Sequence, residues 1–537
     1  MTKLGSRRRW VAAVLAGLAV TAAACGSTLP HATQDALERA SASGGSSEQG
    51  VAPNGVGPGN APSSSGGPLP TSGPGGQAGA GGASGLAAIS GGGGGSSGSA
   101  GGSGGVGGSG PTSTIPVTPF SIPPSTGVNG PGVTATTINV ATAYDASAAA
   151  EDAAIGAGNA GAGNTMDEEN AAVNYINAHG GVDHRKINLV TFDVNGSDSA
   201  DEDDQQGCTY WTQDNKVFVL SGGTPILDQC AATAHALGLG ELILGEDTAI
   251  LHQYPADIDL TGFTINRGMR ATVNGLAKQG YFSSKAKVGL VTWDEGDYQY
   301  GIDNGADPAL AALGLHDVPV QYVTVPASYG DLAATTASIN SAVLRFQSEG
   351  IDHVILFDGS AGINSSGVLV LLWLTRSYAQ GYHPIYGLNS TSGFSTLASD
   401  YPKSQMLGSL GVGWVPSLDL DASDYAALPQ SAAAKLCLSI MSAAGQAATS
   451  ATDQSGQFEI CDFLFFLQQA LAGITGPLNV STALAAIDSV GTSYPVISTF
   501  GIDLSASQHD GAELVRDTAY VSSCNCYRYT SPPYNPG

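Results

Sequence analysis

Apolar residues recur in two alternating patterns from Thr137 onward. Short runs rich in β-branched and aromatic residues alternate with longer segments whose apolar positions follow a helical period. The predicted strands are 137–142, 186–193, 216–220 and 241–244, followed by 287–292, 318–325, 353–357 and 384–388. Such alternation predicts parallel sheets with right-handed crossovers and helices on both faces. Because the series runs twice, the pattern predicts an α/β fold with two similar lobes.

Beyond Trp414 the pattern changes. Segments 422–444 and 458–472 are predicted helices with no strand between them, and 494–525 returns to short β-like runs. Such an ending indicates a chain that crosses back and forth between the lobes. The apolar run 368–374 is too short to span a bilayer and predicts a buried helix instead.

The first 25 residues follow the plan of a secretory signal. A basic start at residues 3–9 precedes an apolar run over 10–20, and Ala22, Ala23 and Ala24 lead directly into Cys25. A small-residue triplet before a Cys resembles the lipobox of bacterial lipoproteins, in which that Cys is acylated and becomes the mature N terminus. We therefore expect a chain that is lipid-anchored to the cell membrane on its extracytoplasmic side. An ordinary cleaved signal peptide and an uncleaved N-terminal anchor are the alternatives.

Residues 26–130 are rich in Gly, Ser and Pro. Within them, residues 43–130 contain no Lys or Arg, and Glu48 is the single acid. Because so little apolar surface is available to offset chain entropy, we expect a disordered tether. A Gly-rich coil of about 100 residues has a typical end-to-end reach of roughly 50 to 60 Å.

The remaining stretch, 131–537, is strongly acidic. It contains 14 Lys and Arg against 42 Asp and Glu, a net charge of −28. Nucleic acid and anionic lipid surfaces are therefore poor partners. An acidic balance of this kind is typical of solubility in a salty or crowded medium.

Several enzyme and cofactor motifs occur without the context they need. Residues 101–105 fit G-x-S-x-G but lie in the tether, and 156–161 fit a dinucleotide fingerprint but begin over ten residues after their strand. The acidic run 198–204 lacks the spacing of a calcium loop and is typical of a solvated helix start. Cys524 and Cys526 lack the second pair of a zinc site. No His joins a Ser or Cys in a catalytic pattern, so we expect neither enzymatic activity nor a cofactor.

Four stretches of the chain resemble the branched-chain amino-acid type of periplasmic binding protein, the extracellular ligand-binding lipoproteins of ABC importers. They read TINVATAYD followed by GAGNAGAGN, AAVNYINAHGGVDHRKINLVTFD, KVFVLSGGTPILDQC, and KVGLVTWDEGDYQYG. The resemblance extends from about Val133 to the C terminus. It implies the periplasmic binding protein type 1 fold, with two Rossmann-like lobes of parallel sheet joined by a three-segment hinge. Lobe one would comprise 131–256 and 413–499, and lobe two would comprise 257–412 and 500–537.

The resemblance also implies where a ligand binds. In open α/β sheets ligands lie beyond the carboxyl ends of the strands, where loops and helix N termini present backbone N–H groups. By resemblance, the loop 221–224 holds a ligand carboxylate, and Tyr300 packs on the ligand. Thr224 acting only as a helix N-cap, and the aromatic side chains acting only as core, are the alternatives. The predicted ligand-binding residues are Tyr144, Asp145, Ser221, Gly222, Thr224, Asp247, Thr248, Trp293, Tyr300, Asp358 and Asn389.

One departure from the family leaves the ligand class open. Amino-acid binders of this family carry a carboxylate in the loop after strand 384–388, whereas residues 389–391 of this chain are Asn, Ser and Thr. Neutral groups weaken the case for an α-amino acid, so an amide, a polyol or a sugar stays possible. Asp247, Glu295 and Asp358 are the candidate sources of the missing charge.

Six Cys remain besides Cys25, an even number that suits an oxidising compartment. The expected disulfides are Cys208–Cys230, Cys437–Cys461 and Cys524–Cys526. Relatives bridge positions similar to the first pair, which lies on successive helices flanking one strand. The second pair lies on neighbouring helices of lobe one. The third closes a very small loop, where free thiols are the alternative.

Taken together, these features imply an extracytoplasmic solute-binding lipoprotein. It would capture a small polar ligand, with amino-acid transport among its possible roles, and hand it to an ABC permease in the membrane. The alternative is a ligand-sensing receptor domain of the same fold that does not take part in transport.

Overall fold

The computed structural model describes residues 119–537 except 124, 126, 145, 147–163, 195–199, 222–223, 241–243, 327–330, 360–366, 394–397 and 399–400. The expected signal sequence, Cys25 and the tether up to residue 118 lie outside the described residues, as do Asp145 and Gly222. None of the helices in the described ranges is both long and apolar enough to cross a membrane.

The first sheet has five parallel strands in the order β2-β1-β3-β4-β6. They are β1 Thr137–Tyr144, β2 Lys186–Asp193, β3 Val219–Ser221, β4 Leu237–Gly240 and β6 Asp257–Asp259. Strands β5 Leu244–Gly245 and β7 Phe263–Thr264 form a separate two-stranded parallel sheet. The register of β1 and β2 pairs Tyr144 with Asp193, so both strands end at the same edge of the sheet.

The second sheet has seven strands in the order β14-β13-β12-β11-β10-β8-β9. They are β8 Val288–Trp293, β9 Val320–Val323, β10 His353–Leu356, β11 Ile385–Asn389, β12 Leu410–Gly413, β13 Arg516–Val521 and β14 Cys526–Tyr529. Strands β8 to β12 pair in parallel, whereas β13 and β14 add to the edge as an antiparallel hairpin.

The helices pack on the faces of these sheets. In chain order they are α1 Thr165–Ala178, α2 Ala200–Thr209, α3 Pro225–Ala234, α4 Thr248–Gln253, α5 Ile265–Lys278, α6 Gly296–Gly301, α7 Asp307–Ala312, α8 Leu332–Glu349, α9 Val368–Ala379, α10 Lys403–Met406, α11 Pro416–Asp419, α12 Ala422–Ala426, α13 Ala432–Ala443, α14 Ala451–Ala470 and α15 Val480–Asp488. Helix α1 begins where the Asn164 side chain accepts a hydrogen bond from the Asp167 N–H, and it buries Ala172, Val173 and Ile176. Helix α9 contains the apolar run predicted as a buried helix, and its Trp373 is fully buried.

Among the described residues, lobe two has one hydrophobic core and lobe one has two clusters. Apart from Leu244, which packs with the core of lobe two, the chain passes between the lobes three times. The residues on either side of the crossings are Leu260 and Phe263, Leu418 and Leu420, and Leu504 and Ala512. Each crossing lies a few residues beyond the lobe boundaries predicted after 256, 412 and 499. Strand β6 pairs with β4 and so extends the first sheet past residue 256, although its Asp-Ile-Asp sequence lacks the apolar character of a buried strand.

Several predicted elements differ from those observed. The predicted strand 241–244 falls largely outside the described residues, and the fourth strand of the first sheet is instead β4, whose sequence is Leu-Gly-Leu-Gly. The predicted helix 422–444 is two helices, because Pro429 interrupts it and Ser431 caps the second by accepting a hydrogen bond from the Ala434 N–H at 3.0 Å.

All three expected disulfides are present. The Cα–Cα distances are 5.8 Å for Cys208–Cys230, 6.0 Å for Cys437–Cys461 and 5.2 Å for Cys524–Cys526. The first joins α2 to α3, the second joins α13 to α14, and the third lies at the start of β14. The free-thiol alternative for the third pair is therefore not what the structure shows.

Candidate functional site

The candidate site is the region between the two lobes at the carboxyl ends of their parallel strands, which we call the cleft. Glu295 follows β8 in lobe two, and Asp201 lies in the first turn of α2 in lobe one. Glu295 is exposed, and partial loss of solvent, followed by the negative charges of Asp297 and Asp201, raises its pKa. Acidic side chains of the two lobes are therefore near enough for their charges to interact.

The floor of the cleft lies where lobe one joins lobe two. Asp247 is buried and caps α4, accepting hydrogen bonds from the N–H groups of Ala249 at 2.6 Å and Ile250 at 3.0 Å. Thr248 donates its hydroxyl to the Asn266 side-chain oxygen at 2.8 Å. Because Asn266 belongs to α5 of lobe two, this contact joins the lobes, and both predicted ligand-binding residues have partners within the protein.

On the lobe-one wall, Thr224 acts as the N-cap of α3. Its hydroxyl accepts a hydrogen bond from the Leu227 N–H at 3.2 Å and donates one to the Asp204 carboxylate at 2.7 Å. Burial raises the pKa of Asp204 to about 6, although the Thr224 hydroxyl opposes the shift. The capping interpretation is therefore observed, and the predicted ligand-carboxylate loop lies beside a carboxylate of the protein itself.

The other lobe-one candidates lie at neighbouring strand ends. Tyr144 is half-buried at the end of β1, where its carbonyl oxygen accepts a hydrogen bond from the Val194 N–H at 2.9 Å. Ser221 is the last residue of β3. The Ser221 side chain lies outside the described part of the structure.

In lobe two, Trp293 and Asp358 form a buried pair. The Trp293 indole N–H donates to Asp358 Oδ1 at 3.3 Å, and both side chains are fully buried. Asp358 also accepts hydrogen bonds from the N–H groups of Gly359 at 2.8 Å and of Val370, in the first turn of α9, at 3.0 Å. Burial raises the pKa of Asp358 to about 7 against these hydrogen bonds. In this conformation the pair fixes the end of β10 and the start of α9.

Asn389 is also buried, with 1% of its surface exposed. Its side-chain oxygen accepts a hydrogen bond from the Thr391 N–H at 3.1 Å, and its amide donates to Thr272 Oγ1 at 3.1 Å. The next residue, Ser390, donates its hydroxyl to Asp419 at 2.8 Å and accepts from the Trp414 N–H at 2.7 Å. Together these contacts hold the end of β11 to the second crossing.

Tyr298 and Tyr300 lie on α6 and have different surroundings. Tyr300, the predicted ligand-packing aromatic, is half-buried. Tyr298 has 2% of its surface exposed, and its hydroxyl lies 2.2 Å from the position that a Cβ atom on Gly359 would occupy. Tyr298 is therefore a core residue that requires glycine at position 359, whereas the ring of Tyr300 is partly accessible.

Acidic groups lie close together in the cleft. Burial, then the charge of Asp247, raises the pKa of Asp297. Burial and the charge of Asp257 raise the pKa of Glu246, and the charges of Asp297 and Asp247 add to that shift. In the sequence, the segments between the parallel strands and the next helix contain no Lys or Arg. Because the strand ends were predicted from the sequence, the absence of Lys and Arg from the segments that follow them could also have been predicted.

The structure was compared with known proteins. No protein-family model matches the chain, and a comparison with curated protein sequences finds no match. Among solved structures, a fatty acid ABC transporter substrate-binding protein from Thermomonospora curvata is similar with a TM-score of 0.52 and 18% identity, covering 76% of this chain and 94% of its own.

Two further solved structures have the same TM-score of 0.52. A branched-chain amino-acid ABC transporter protein from Thermus thermophilus with bound valine is 15% identical, covering 75% of this chain and 97% of its own. A solute-binding protein of an ABC transporter from Rhodopseudomonas palustris HaA2, in complex with p-hydroxybenzoic acid, is 14% identical, covering 74% of this chain and 97% of its own. The order of the elements and these similarities lead to one conclusion: the chain has the two-lobed periplasmic binding protein type 1 fold.

Proposed function

We propose that this chain is a solute-binding lipoprotein that captures a small polar ligand in its interlobe cleft and delivers it to an ABC permease. The observation that carries the proposal is the two-lobed arrangement, in which acidic side chains of both lobes, Glu295 and Asp201, are near enough for their charges to interact. Three crossing segments join the lobes, a construction that permits hinge closure around a ligand. The similar solved structures support a binding role, not an enzymatic one, because they are substrate-binding proteins of ABC transporters.

The charges of the cleft favour a neutral or cationic ligand. Asp201, Asp204, Glu295 and Asp297 supply negative charge, and the strand-end segments contain no Lys or Arg. Two unit charges about 5 Å apart interact by about 3 kcal/mol at an effective dielectric constant of about 20. A ligand carboxylate would therefore meet repulsion with no side-chain cation to offset it. This chain should differ in ligand charge from the solved proteins whose bound valine and p-hydroxybenzoic acid carry carboxylates.

A thermal-shift screen tests both parts of the proposal. It would compare cationic amines, neutral amides, polyols and sugars, zwitterionic amino acids, and simple carboxylates, since a ligand that binds the native state raises the melting temperature. We expect the increase to come from neutral or cationic compounds. If no compound changes the melting temperature, the binding function is wrong; if only carboxylates raise it, the function stands and the charge assignment is wrong.

Two variants with equal charge changes locate the binding site. Asp297→Asn removes a cleft carboxylate, whereas Asp303→Asn removes an exposed one in the π-helical segment Ile302–Ala306 that follows α6. We expect Asp297→Asn to weaken a cationic ligand at least about 10-fold, because about 1.4 kcal/mol of attraction is lost. Asp303→Asn should leave its affinity unchanged. Equal effects of the two substitutions would contradict binding in the cleft.

Membrane attachment through Cys25 is part of the same proposal, and it rests on the signal-like sequence before this residue. Cells supplied with a labelled fatty acid should label the wild-type chain and leave Cys25→Ser unlabelled. The variant should also leave the membrane fraction. Retention of the label in Cys25→Ser would contradict lipidation at this residue without affecting the ligand-binding proposal.

A further inference from the structure

Three buried carboxylates meet beneath the cleft floor, and we name them the buried acidic trio. Asp228 lies in the first turn of α3, Glu246 follows β5, and Asp257 begins β6. Their exposed fractions are 1%, 4% and 3%, respectively. One carboxylate oxygen from each residue lies within 4.8 Å of the other two. Three elements distant in sequence therefore direct acidic oxygens to one point inside lobe one.

The trio contains polar atoms that the protein itself does not satisfy. The carboxyl groups of Asp228 and Asp257 are close enough to interact. Among the described residues, however, no group donates a hydrogen bond to Glu246 Oε1 or Asp257 Oδ1. Carboxylate oxygens buried without a donor or a cation are strongly destabilising. These two unpaired oxygens indicate a binding site for a cation, independently of the clustering of acidic residues.

The surrounding backbone leaves room for these side chains. Gly238 on β4 pairs with Asp257, and a Cβ atom at this glycine would lie 2.0 Å from Asp257 Oδ1. A similar arrangement lies alongside, where a Cβ atom at Gly245 would lie 2.0 Å from Asp259 Oδ2. Asp259 is also buried, and burial followed by the negative charge of Glu246 raises its pKa. Each carboxylate thus occupies the volume that a side chain on the neighbouring strand would fill.

We propose that Asp228, Glu246 and Asp257 bind a divalent metal cation, with calcium preferred over magnesium. The ligands are all carboxylate oxygens, as hard cations require, and no His or Cys belongs to the group, so the site does not suit zinc. Ca²⁺ accepts several protein carboxylates in a flexible geometry. Mg²⁺ usually keeps several of its waters and binds through only one or two carboxylates. A buried group of three carboxylates therefore suits Ca²⁺ better than Mg²⁺.

The position of the site gives the cation a structural consequence. Asp228 belongs to the helix that follows the predicted ligand-binding loop, and Asp257 belongs to the strand that leads into the first crossing. Glu246 accepts the Ile265 N–H through its carbonyl oxygen at 3.1 Å, which connects it to the start of α5 in lobe two. A bound cation would therefore hold the lobe-one wall of the cleft against the hinge. This inference does not depend on the identity of the solute or on transport.

Calcium titration of the chelator-treated full chain tests the inference. Isothermal titration calorimetry of the wild type should show one Ca²⁺ per chain, and saturating Ca²⁺ should raise the melting temperature by about 3 to 5 °C relative to NaCl of equal ionic strength. Mg²⁺ should have a smaller effect. Glu246→Gln and Asp257→Asn should each abolish the calcium-dependent increase, whatever their melting temperatures without calcium.

Asp424→Asn is the matched control, because Asp424 and Asp421 form a second pair of close carboxylates at a more accessible position. This variant should retain the calcium-dependent increase. The inference is overturned if the wild type binds no Ca²⁺ in the calorimeter at up to about 10 mM. It is also overturned if both trio variants keep the full increase, as general counterion association with a chain of net charge −26 would produce. The wild-type stoichiometry gives an answer even if a variant fails to fold.

Discussion

The guanidinium of Arg267 lies 2.5 Å from the carboxylate of Asp510, and this ion pair joins the first crossing to the third. Arg267 also donates to the carbonyl oxygens of Asp510 at 3.1 Å and Ala512 at 3.2 Å. The same Asp510 carboxylate accepts hydrogen bonds from the backbone N–H and hydroxyl of Thr264, at 2.9 and 3.0 Å. A single buried acid therefore holds two of the three segments on which the lobes would hinge.

Removing this hinge ion pair should destabilise the chain strongly. We expect Arg267→Met to lower the free energy of unfolding by about 3 to 5 kcal/mol, because it leaves the buried Asp510 without its cation. Arg345→Met is the control, since the Arg345–Glu349 pair is exposed on α8 and should contribute less than about 0.5 kcal/mol. Urea unfolding measures both values. Equal losses would show that Asp510 does not depend on its partner.

The stability of the chain should fall as the pH rises from about 5 to 8. Burial raises the pKa of Glu169, Asp358 and Asp419 to about 7, above the unfolded values near 4. Between these values the native state binds more protons than the unfolded state, so its stability is present at low pH and is lost as pH rises through the folded pKa. Melting temperatures measured across this range should decrease, and a steady increase would contradict the prediction.

Asp419→Asn isolates one contributor to this pH dependence. Asp419 is fully buried, and its oxygens accept the hydroxyl groups of Ser390 at 2.8 Å and Tyr529 at 2.7 Å. The variant should reduce the difference in unfolding free energy between pH 5 and pH 7.5 by about 2 kcal/mol, because this group no longer titrates. The exposed Asp303→Asn should leave the difference unchanged. Parallel pH profiles for wild type and Asp419→Asn would be the contrary result.

Gly359 and Tyr298 should show coupled effects on stability. Gly359→Ala places a Cβ atom 2.2 Å from the Tyr298 hydroxyl and should cost about 1 to 3 kcal/mol through overpacking. Tyr298→Phe removes that hydroxyl, so the double variant should be more stable than the two separate losses predict. A double-mutant cycle measures this coupling. Strict additivity would show that the clash is relieved elsewhere.

The disulfides should contribute unequally to stability. Cys208–Cys230 closes a loop with a sequence separation of 22 residues, and replacing both cysteines with Ser should lower the free energy of unfolding by about 3 kcal/mol. Cys524 and Cys526 are separated by only 2 positions, so the same replacement there should cost less than about 2 kcal/mol. Chemical denaturation under non-reducing conditions compares the two. A larger loss at the short loop would contradict the chain-entropy explanation.

Much of the fold could be predicted from the pattern of apolar and polar residues. The strand predicted over 186–193 is observed with the same limits as β2, and the helix predicted from Leu332 is α8. These segments are readable because their apolar side chains repeat with the period of the element that buries them. The order of the βα units then fixed parallel sheets, and the Cys positions on neighbouring elements led to the observed disulfides.

The candidate site could be predicted only in part from the sequence. The sequence placed Trp293, Asp358 and Asn389 at strand ends, where they are found. It did not show that these side chains are buried with partners inside lobe two. Side-chain accessibility depends on how the following helices pack, and residues distant in sequence, such as Thr272 beside Asn389, supply that packing.

The sequence by itself determined the alternation of strands and helices, the double series and the acidic charge of the chain. Only the tertiary structure decided that the Leu-Gly-Leu-Gly segment of β4 and the Asp-Ile-Asp segment of β6 are neighbouring strands. Separately, each has poor strand character, since glycine and aspartate are depleted in strands. Together they fit, because Gly238 leaves the space that the Asp257 carboxylate occupies. Complementarity between two segments is a property of their pairing, so neither sequence pattern could reveal it alone.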